Sequence, residues 1–240
     1  MFLDYETYWN GEQEQNSNLA RLVDLFDEVG DDYKAVLFPP SGNIHPLNKE
    51  LHETLQRFSL KNRFIPCAYI NPNLYDAVEE LEKAVKEYDF KGMKLMPTRH
   101  KYNVDSIVTH PVMEKAEEMR IPVTIHSSSE GGYPWLISEL AKEFPKVPII
   151  MDHSGYRYYQ AEAIEAGKKN SNVYFGLSLV SEPGFIDRIA REVGADKLIY
   201  GSNAAGGIPK IGLTVYDYTN LSEEEKRMAL GGNLRKLLRL

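Results

Sequence analysis

Cysteine is nearly absent from this chain: Cys67 is the single one among 240 residues. An internal disulfide is therefore excluded. Because Cys67 lies inside the apolar stretch Phe64–Ile70, it is expected to be a buried, inert thiol rather than a nucleophile. Long apolar runs are missing too. None approaches the ~20 residues that a membrane-spanning helix requires. The N-terminal segment has no charged stretch followed by an apolar one, as a secretory signal would. A cytoplasmic protein with no membrane partner is expected. Positive charge is scarce: 28 Lys and Arg stand against 35 Asp and Glu, a formal net charge of −7. A nucleic-acid partner would require a basic face to displace counterions, so none is expected. There is no glycine-rich phosphate turn after the first apolar segment, no low-complexity tract, no short repeat and no linker. Residues 1–240 are expected to form one domain.

What is present is a regular alternation of short β-branched runs and amphipathic stretches. Strands are predicted at Met1–Glu6, Lys34–Phe38, Phe64–Ile70, Gly92–Met96, Pro122–His126, Val147–His153, Asn172–Leu177 and Lys197–Gly201. Between them, apolar residues recur at helical spacing: Leu19, Leu22, Val23 and Phe26 in the first interval, and Ala77, Leu81 and Val85 in the third. Predicted helices cover Asn18–Val29, Leu47–Leu60, Leu74–Tyr88, Ser106–Met119, Tyr133–Glu143, Gln160–Lys169 and Gly184–Val193. A last one, Ser222–Leu238, opens on a capping box (Ser222 with Glu225) and breaks at Gly231-Gly232. Eight such units imply parallel strands with right-handed crossovers, and the length suits a (β/α)8 TIM barrel. The rival, a doubly wound open sheet, rarely needs eight regular units.

In such a barrel the C-terminal strand ends carry the chemistry. Two predicted strands end in histidine, His126 and His153, separated by 27 positions. Side-chain alternation puts Asp4, Glu6 and Tyr8 on one face of the first strand, and Thr124 with His126 on the fifth. It puts Ile149, Met151 and His153 together on the sixth, turning Asp152 away, and Ile199, Gly201 and Asn203 together on the eighth. Glu6, His126, His153 and Asn203 would then converge from four strands, as the ligands of a divalent metal do. Zinc is the first expectation, with manganese or magnesium as harder alternatives. Simpler roles stand beside these. Glu6 can be a buried carboxylate paired with Lys94, Asn203 a strand-to-loop turn residue, Tyr8 a pocket wall, and the histidines satisfied polar groups. Tyr8, Lys94, Arg99 and His100 are the candidate substrate contacts. The basic loop Thr98–Tyr102 would favour a small carboxylated substrate.

Several segments, in chain order, resemble the amidohydrolase-related family of metal-dependent barrel hydrolases and decarboxylases. They are Phe64-Ile65-Pro66-Cys67-Ala68-Tyr69-Ile70-Asn71-Pro72, Phe90-Lys91-Gly92-Met93-Lys94-Leu95, Ile121-Pro122-Val123-Thr124-Ile125-His126, Phe144–Gly155, Leu198–Asn203 and Gly231-Gly232-Asn233. The resemblance implies that His126 is a metal ligand and that His153 is a catalytic acid/base or lies close to the metal. It also marks departures. Asp4-Tyr5-Glu6-Thr7-Tyr8 keeps the glutamate form of the opening motif but has Tyr8 where the family has a ligand histidine. Asn203 stands where the family has a ligand aspartate, and Met96 where it has histidine. The implied metal set is Glu6, His126 and His153, with His153 and Asn203 as catalytic residues. Three functions follow as expectations. The first is hydrolysis of a small carboxylated substrate by metal-activated water. The second is nonoxidative decarboxylation of an aromatic or unsaturated carboxylate. The third is a metal-free barrel that binds a small molecule without turning it over. A homodimer is a further expectation, from the habit of the family.

Overall fold

A computed structural model of the chain describes residues 2–11, 17–40, 44–58, 62–127 and 129–240. Met1, where the first strand was expected to begin, and Leu60, the expected end of the second helix, lie outside the described residues. So does most of the Asn10–Asn18 loop.

The strands are β1 (Leu3–Tyr8), β2 (Lys34–Phe38), β3 (Phe64–Pro66), β4 (Ala68–Ile70), β5 (Met93–Leu95), β6 (Val123–His126), β7 (Ile149–Asp152), β8 (Val173–Gly176) and β9 (Leu198–Ile199). All neighbouring pairs are parallel, in the orders β1-β2-β3 and β4 through β9. β3 and β4 are the two halves of the predicted third strand, which changes partner at Cys67. The Cys67 N–H donates to the Leu37 carbonyl at 3.1 Å, and the Ala68 N–H to that of Gly92 at 2.8 Å. The cylinder closes between the last strand and the first. Tyr5 N–H donates to the Tyr200 carbonyl at 3.0 Å, Tyr8 N–H to that of Ala204 at 2.8 Å, and Thr7 bridges Ala204 in parallel. The result is a parallel TIM barrel.

The helices are α1 (Ser17–Asp27), α2 (Asn48–Arg57), α3 (Ala77–Lys86), α4 (Pro97–His100), α5 (His110–Met119), α6 (Pro134–Glu143), α7 (Gln160–Lys169), α8 (Pro183–Glu192), α9 (Pro209–Thr214), α10 (Glu223–Arg227) and α11 (Asn233–Leu238). Their starts follow the local chemistry. Proline occupies the first turn of α4, α5, α6, α8 and α9, where a missing N–H costs nothing. The expected capping box forms at Ser222 and Glu225. The predicted helical break at Gly231 is present as a wide turn between α10 and α11. Among the described residues, no helix is long and apolar enough to cross a membrane.

Two apolar layers result. Leu37, Met93, Leu95, Val123, Ile125, Ile149, Met151, Val173 and Phe175 pack outward against the helices. Leu3, Tyr5, Val36, Phe38, Ile65, Cys67, Ile150 and Ile199 fill the cylinder, with Leu234 and Leu238 of α11 added to this cluster. This partition corrects two expectations from alternation. On β7 it is Ile150, not Ile149 and Met151, that faces inward, so the next inward side chain is Asp152. On β1 the register shifts between Asp4 and Thr7. Tyr5 is therefore inside, while Asp4 turns to Tyr33 and Ser202. An inserted residue in a pair breaks the period of two, and sequence alone does not reveal it.

Candidate active site

At the C-terminal mouth, β1, β5, β6, β7 and the segment after β8 deliver one hydrogen-bonded cluster. Its centre is Lys94, fully buried on β5. The ammonium contacts the Glu6 carboxylate and the Tyr8 hydroxyl, and lies 2.8 Å from Asp152 Oδ2. It also sits 4.8 Å and 5.1 Å from the ring centres of Tyr8 and Phe38. Burial works against the ammonium charge, but the Asp152 and Glu6 carboxylates outweigh it and raise Lys94 above its ordinary value. Asp152 shows the converse. Burial would raise it, yet the charges of His153 and Lys94 and the His126 hydrogen bond hold it well below the usual carboxylate range. Burial, then the charges of Glu6 and Asp152, push the Tyr8 hydroxyl far up, so it is a neutral phenol.

Tyr5 anchors the cluster from beneath. Its hydroxyl donates to Asp152 Oδ1, lies 2.5 Å from Ser178 Oγ, and accepts from the His153 N–H at 3.3 Å. The ring has room because Gly176 and Gly201 flank it. A Cβ at either position would lie within 2.5 Å of a Tyr5 ring carbon. Ser178 donates to Glu6 Oε2 at 2.5 Å. Asp4, outside the barrel wall, accepts from Tyr33 and from the Ser202 backbone and hydroxyl. Burial nevertheless raises its carboxyl from 3.8 to about 6.

The two histidines meet with perpendicular rings, 5.0 Å between centres. His153 is off the strand direction, and a left-handed backbone (φ 58°, followed by Ser154 at 50°) turns it back to the mouth. His153 Nδ1 lies 3.2 Å from the Ser178 carbonyl, which only accepts, so this nitrogen carries the proton. His126 Nδ1 lies 3.3 Å from Asp152 Oδ2, which fixes the same tautomer there. In the neutral ring each Nε2 then carries the lone pair. Above them is a cavity of about 680 Å³ lined by Tyr8, Asn10, Arg21, Pro40, Met96, His126, His153, Asn203, Ala205 and Gly206.

The implied metal can be tested against these donors. Ligand atoms of His126, Asp152 and His153 lie within 4.8 Å of one another. Tetrahedral bonds of about 2.1 Å hold ligand atoms about 3.4 Å apart, so the side chains must close inward to take an ion. Two imidazoles and a carboxylate fit a divalent ion. The carboxylate nearest the imidazoles is Asp152, where the sequence suggested Glu6. Both are engaged: Asp152 Oδ1 by Tyr5 and Oδ2 by Lys94 and His126, and the Glu6 oxygens by Lys94, Tyr8 and Ser178.

The other expected residues divide. Tyr8 and Asn203 line the cavity, whereas Lys94 lies buried among its carboxylates. His100 is buried edge-on to Tyr69 at 5.3 Å, and Arg99 is exposed; neither is in the described lining. The basic residue there is Arg21 of α1. Sequence reasoning missed Asp152, Tyr5, Ser178 and Arg21. A usable signal existed for two of them: Asp152 ends an otherwise apolar run, and Gly176 and Gly201 mark space for a large inward ring.

A family model described as Amidohydrolase matches residues 53–240. The chain belongs to the amidohydrolase family. None of the curated protein sequences matches it. Among solved structures, it is similar to an uncharacterized TIM-barrel protein of Bordetella bronchiseptica (TM-score 0.84, 14% identity, 99% of this chain and 98% of the other). It is also similar to 5-carboxyvanillate decarboxylase of Sphingomonas paucimobilis (0.80, 13%, 100% and 99%). A third is a dihydroxybenzoic acid decarboxylase of Polaromonas with bound manganese and the inhibitor 2-nitroresorcinol (0.74, 16%, 100% and 97%). At these identities the likeness establishes the shared fold of this amidohydrolase-family barrel.

Proposed function

We propose that this amidohydrolase-family protein is a metal-dependent enzyme that removes carbon dioxide from a small aromatic or unsaturated carboxylate. One observation carries the choice of reaction. The described lining of the cavity holds two imidazoles and Arg21 but no carboxylate. With both imidazoles committed to an ion, hydrolysis would still need a group to take the proton of the attacking water. Glu6 and Asp152, the nearby candidates, are both paired with Lys94 outside the described lining. Decarboxylation has no such need. The carbon–carboxylate bond breaks, its electron pair stays on carbon, and that carbon takes a proton. The manganese and inhibitor bound by the Polaromonas decarboxylase support the same reading.

His126 and His153 would hold a divalent ion through their Nε2 atoms, with Asp152 fixing the His126 ring from its far side. When bound, such an ion supplies positive charge that stabilises anionic oxygens of the substrate. Arg21 draws the carboxylate to the mouth, and Pro40 and Met96 offer apolar walls to a flat body. Asp152 and the Ser178 carbonyl keep both Nδ1 protons in place, so each Nε2 faces its task without reorganisation. Tyr8 Oη accepts from Lys94 and donates to Glu6 at the cavity wall, and solvent at the mouth supplies the proton that the vacated carbon takes.

Purified protein loaded with Mn²⁺ or Zn²⁺ should release carbon dioxide from members of a hydroxybenzoate panel. Chelation and His126→Ala should abolish release. Folded protein that takes up neither ion and releases nothing would overturn the proposal.

A further inference from the structure

We infer that the Lys94 ammonium is a built-in cation occupying the Glu6 side of the mouth, so that divalent metal is confined to the His126–His153 side. The inference rests on the metal-binding reading above and deepens it. Three features carry it. Lys94 and both of its carboxylate partners are wholly buried, so this is no solvated surface pair. The ammonium gathers oxygens from three positions, Glu6 and Tyr8 of β1 and Asp152 of β7, which is how an oxygen-ligated cation is held. The second Glu6 oxygen is closed off by the Ser178 hydroxyl at 2.5 Å.

The chemistry is then consistent across positions that depart from the family. Lys94 supplies one fixed positive charge where a metal would otherwise meet Glu6. With the ammonium in place, Tyr8 needs only to be a neutral hydroxyl that accepts from Lys94 and donates to Glu6 at 2.6 Å. Asp152 is shared: Oδ2 serves both Lys94 at 2.8 Å and His126 at 3.3 Å. Lys94 is thus a positioning residue for the histidine pair and sets the number of ions the mouth accepts.

The test counts ions and follows thermal stability, with no need for turnover. Wild-type protein, Lys94→Ala, Glu6→Gln and the double variant Lys94→Ala/Glu6→Gln are stripped with chelator and titrated with Mn²⁺ or Zn²⁺. Lys94→Ala should take up one more ion per chain than wild type, and its Tm should rise by several degrees more on metal addition. The double variant should lose that extra ion. In the Lys94-containing protein, Glu6→Gln should leave ion uptake unchanged. The inference is overturned if Lys94→Ala gains no ion, or if Glu6→Gln depletes the ion of the Lys94-containing protein as His126→Ala does. Should Lys94→Ala fail to fold even with metal, the Glu6→Gln titration still decides. The functional reading fails separately, when wild type binds no ion at all.

Discussion

Replacing Lys94 by methionine keeps most of the side-chain volume and removes the charge. In the native protein the ammonium pairs with both Glu6 and Asp152, all three being fully buried. Breaking a buried pair by deleting one partner costs about 3–5 kcal/mol, because an uncompensated charge is left behind. For a chain of this size that is a Tm loss of roughly 6–20 °C. The pH dependence gives a sharper signature. In the wild type Asp152 is held well below its ordinary value of 3.8, so its contribution is present above that value and lost as pH falls through the lower folded value. Lys94, raised above 10.5, contributes fully below 10.5 and loses its contribution only as pH rises through its higher folded value. Without Lys94, burial of Asp152 is opposed only by His153 and His126, so its carboxyl sits higher than in the wild type. Its ionised form then favours the native state less, and less stability is gained as pH rises. The gap between wild type and Lys94→Met should therefore be large near neutrality and shrink in acid. Urea denaturation with a chelator present, repeated from about pH 4 to about pH 8, measures it. A gap that is absent, or constant across that range, would refute the placement of Lys94 as a buried counter-ion.

Three further outcomes are expected. Asp4, raised from 3.8 to about 6 by burial, contributes stability fully below 3.8 and loses about 3 kcal/mol of it as pH rises through about 6. Asp4→Asn should lack that decline in a pH series of denaturation curves. Gly176→Ala would place a Cβ 2.5 Å from Tyr5 Cζ; about 1–3 kcal/mol of stability should be lost, and the displaced Tyr5 should weaken metal binding, as titration would report. Cys67, pushed up to about 12 by burial, should resist thiol reagents until the chain is unfolded, so rapid labelling of the native protein would contradict its placement.

The alternation of apolar runs and helical stripes determined the barrel. Periods of two and 3.6 are local properties, and parallel strands joined by helices have few ways to bury both faces. The order of elements, the proline-started helices, the Ser222 cap and the break at Gly231 were all legible for that reason. So was the placing of His126, because β6 keeps regular alternation and Thr124 and His126 do share its inner face. Alternation failed where the backbone leaves the ideal strand. The shift between Asp4 and Thr7 brings Tyr5 and Glu6 inward together and sends Asp4 out. The left-handed turn at His153 lets neighbours Asp152 and His153 serve the same cluster. Which charges meet was likewise a matter of tertiary structure. Lys94, Glu6, Asp152 and Ser178 lie on four strands or their ends, up to 172 positions apart, and Arg21 reaches the mouth from a helix. Composition and spacing name the residue types that can make a metal or anion site. Only closure of the cylinder decides which carboxylate stands with the histidines and which is held by the lysine, because that depends on angles between strands with no trace in local sequence.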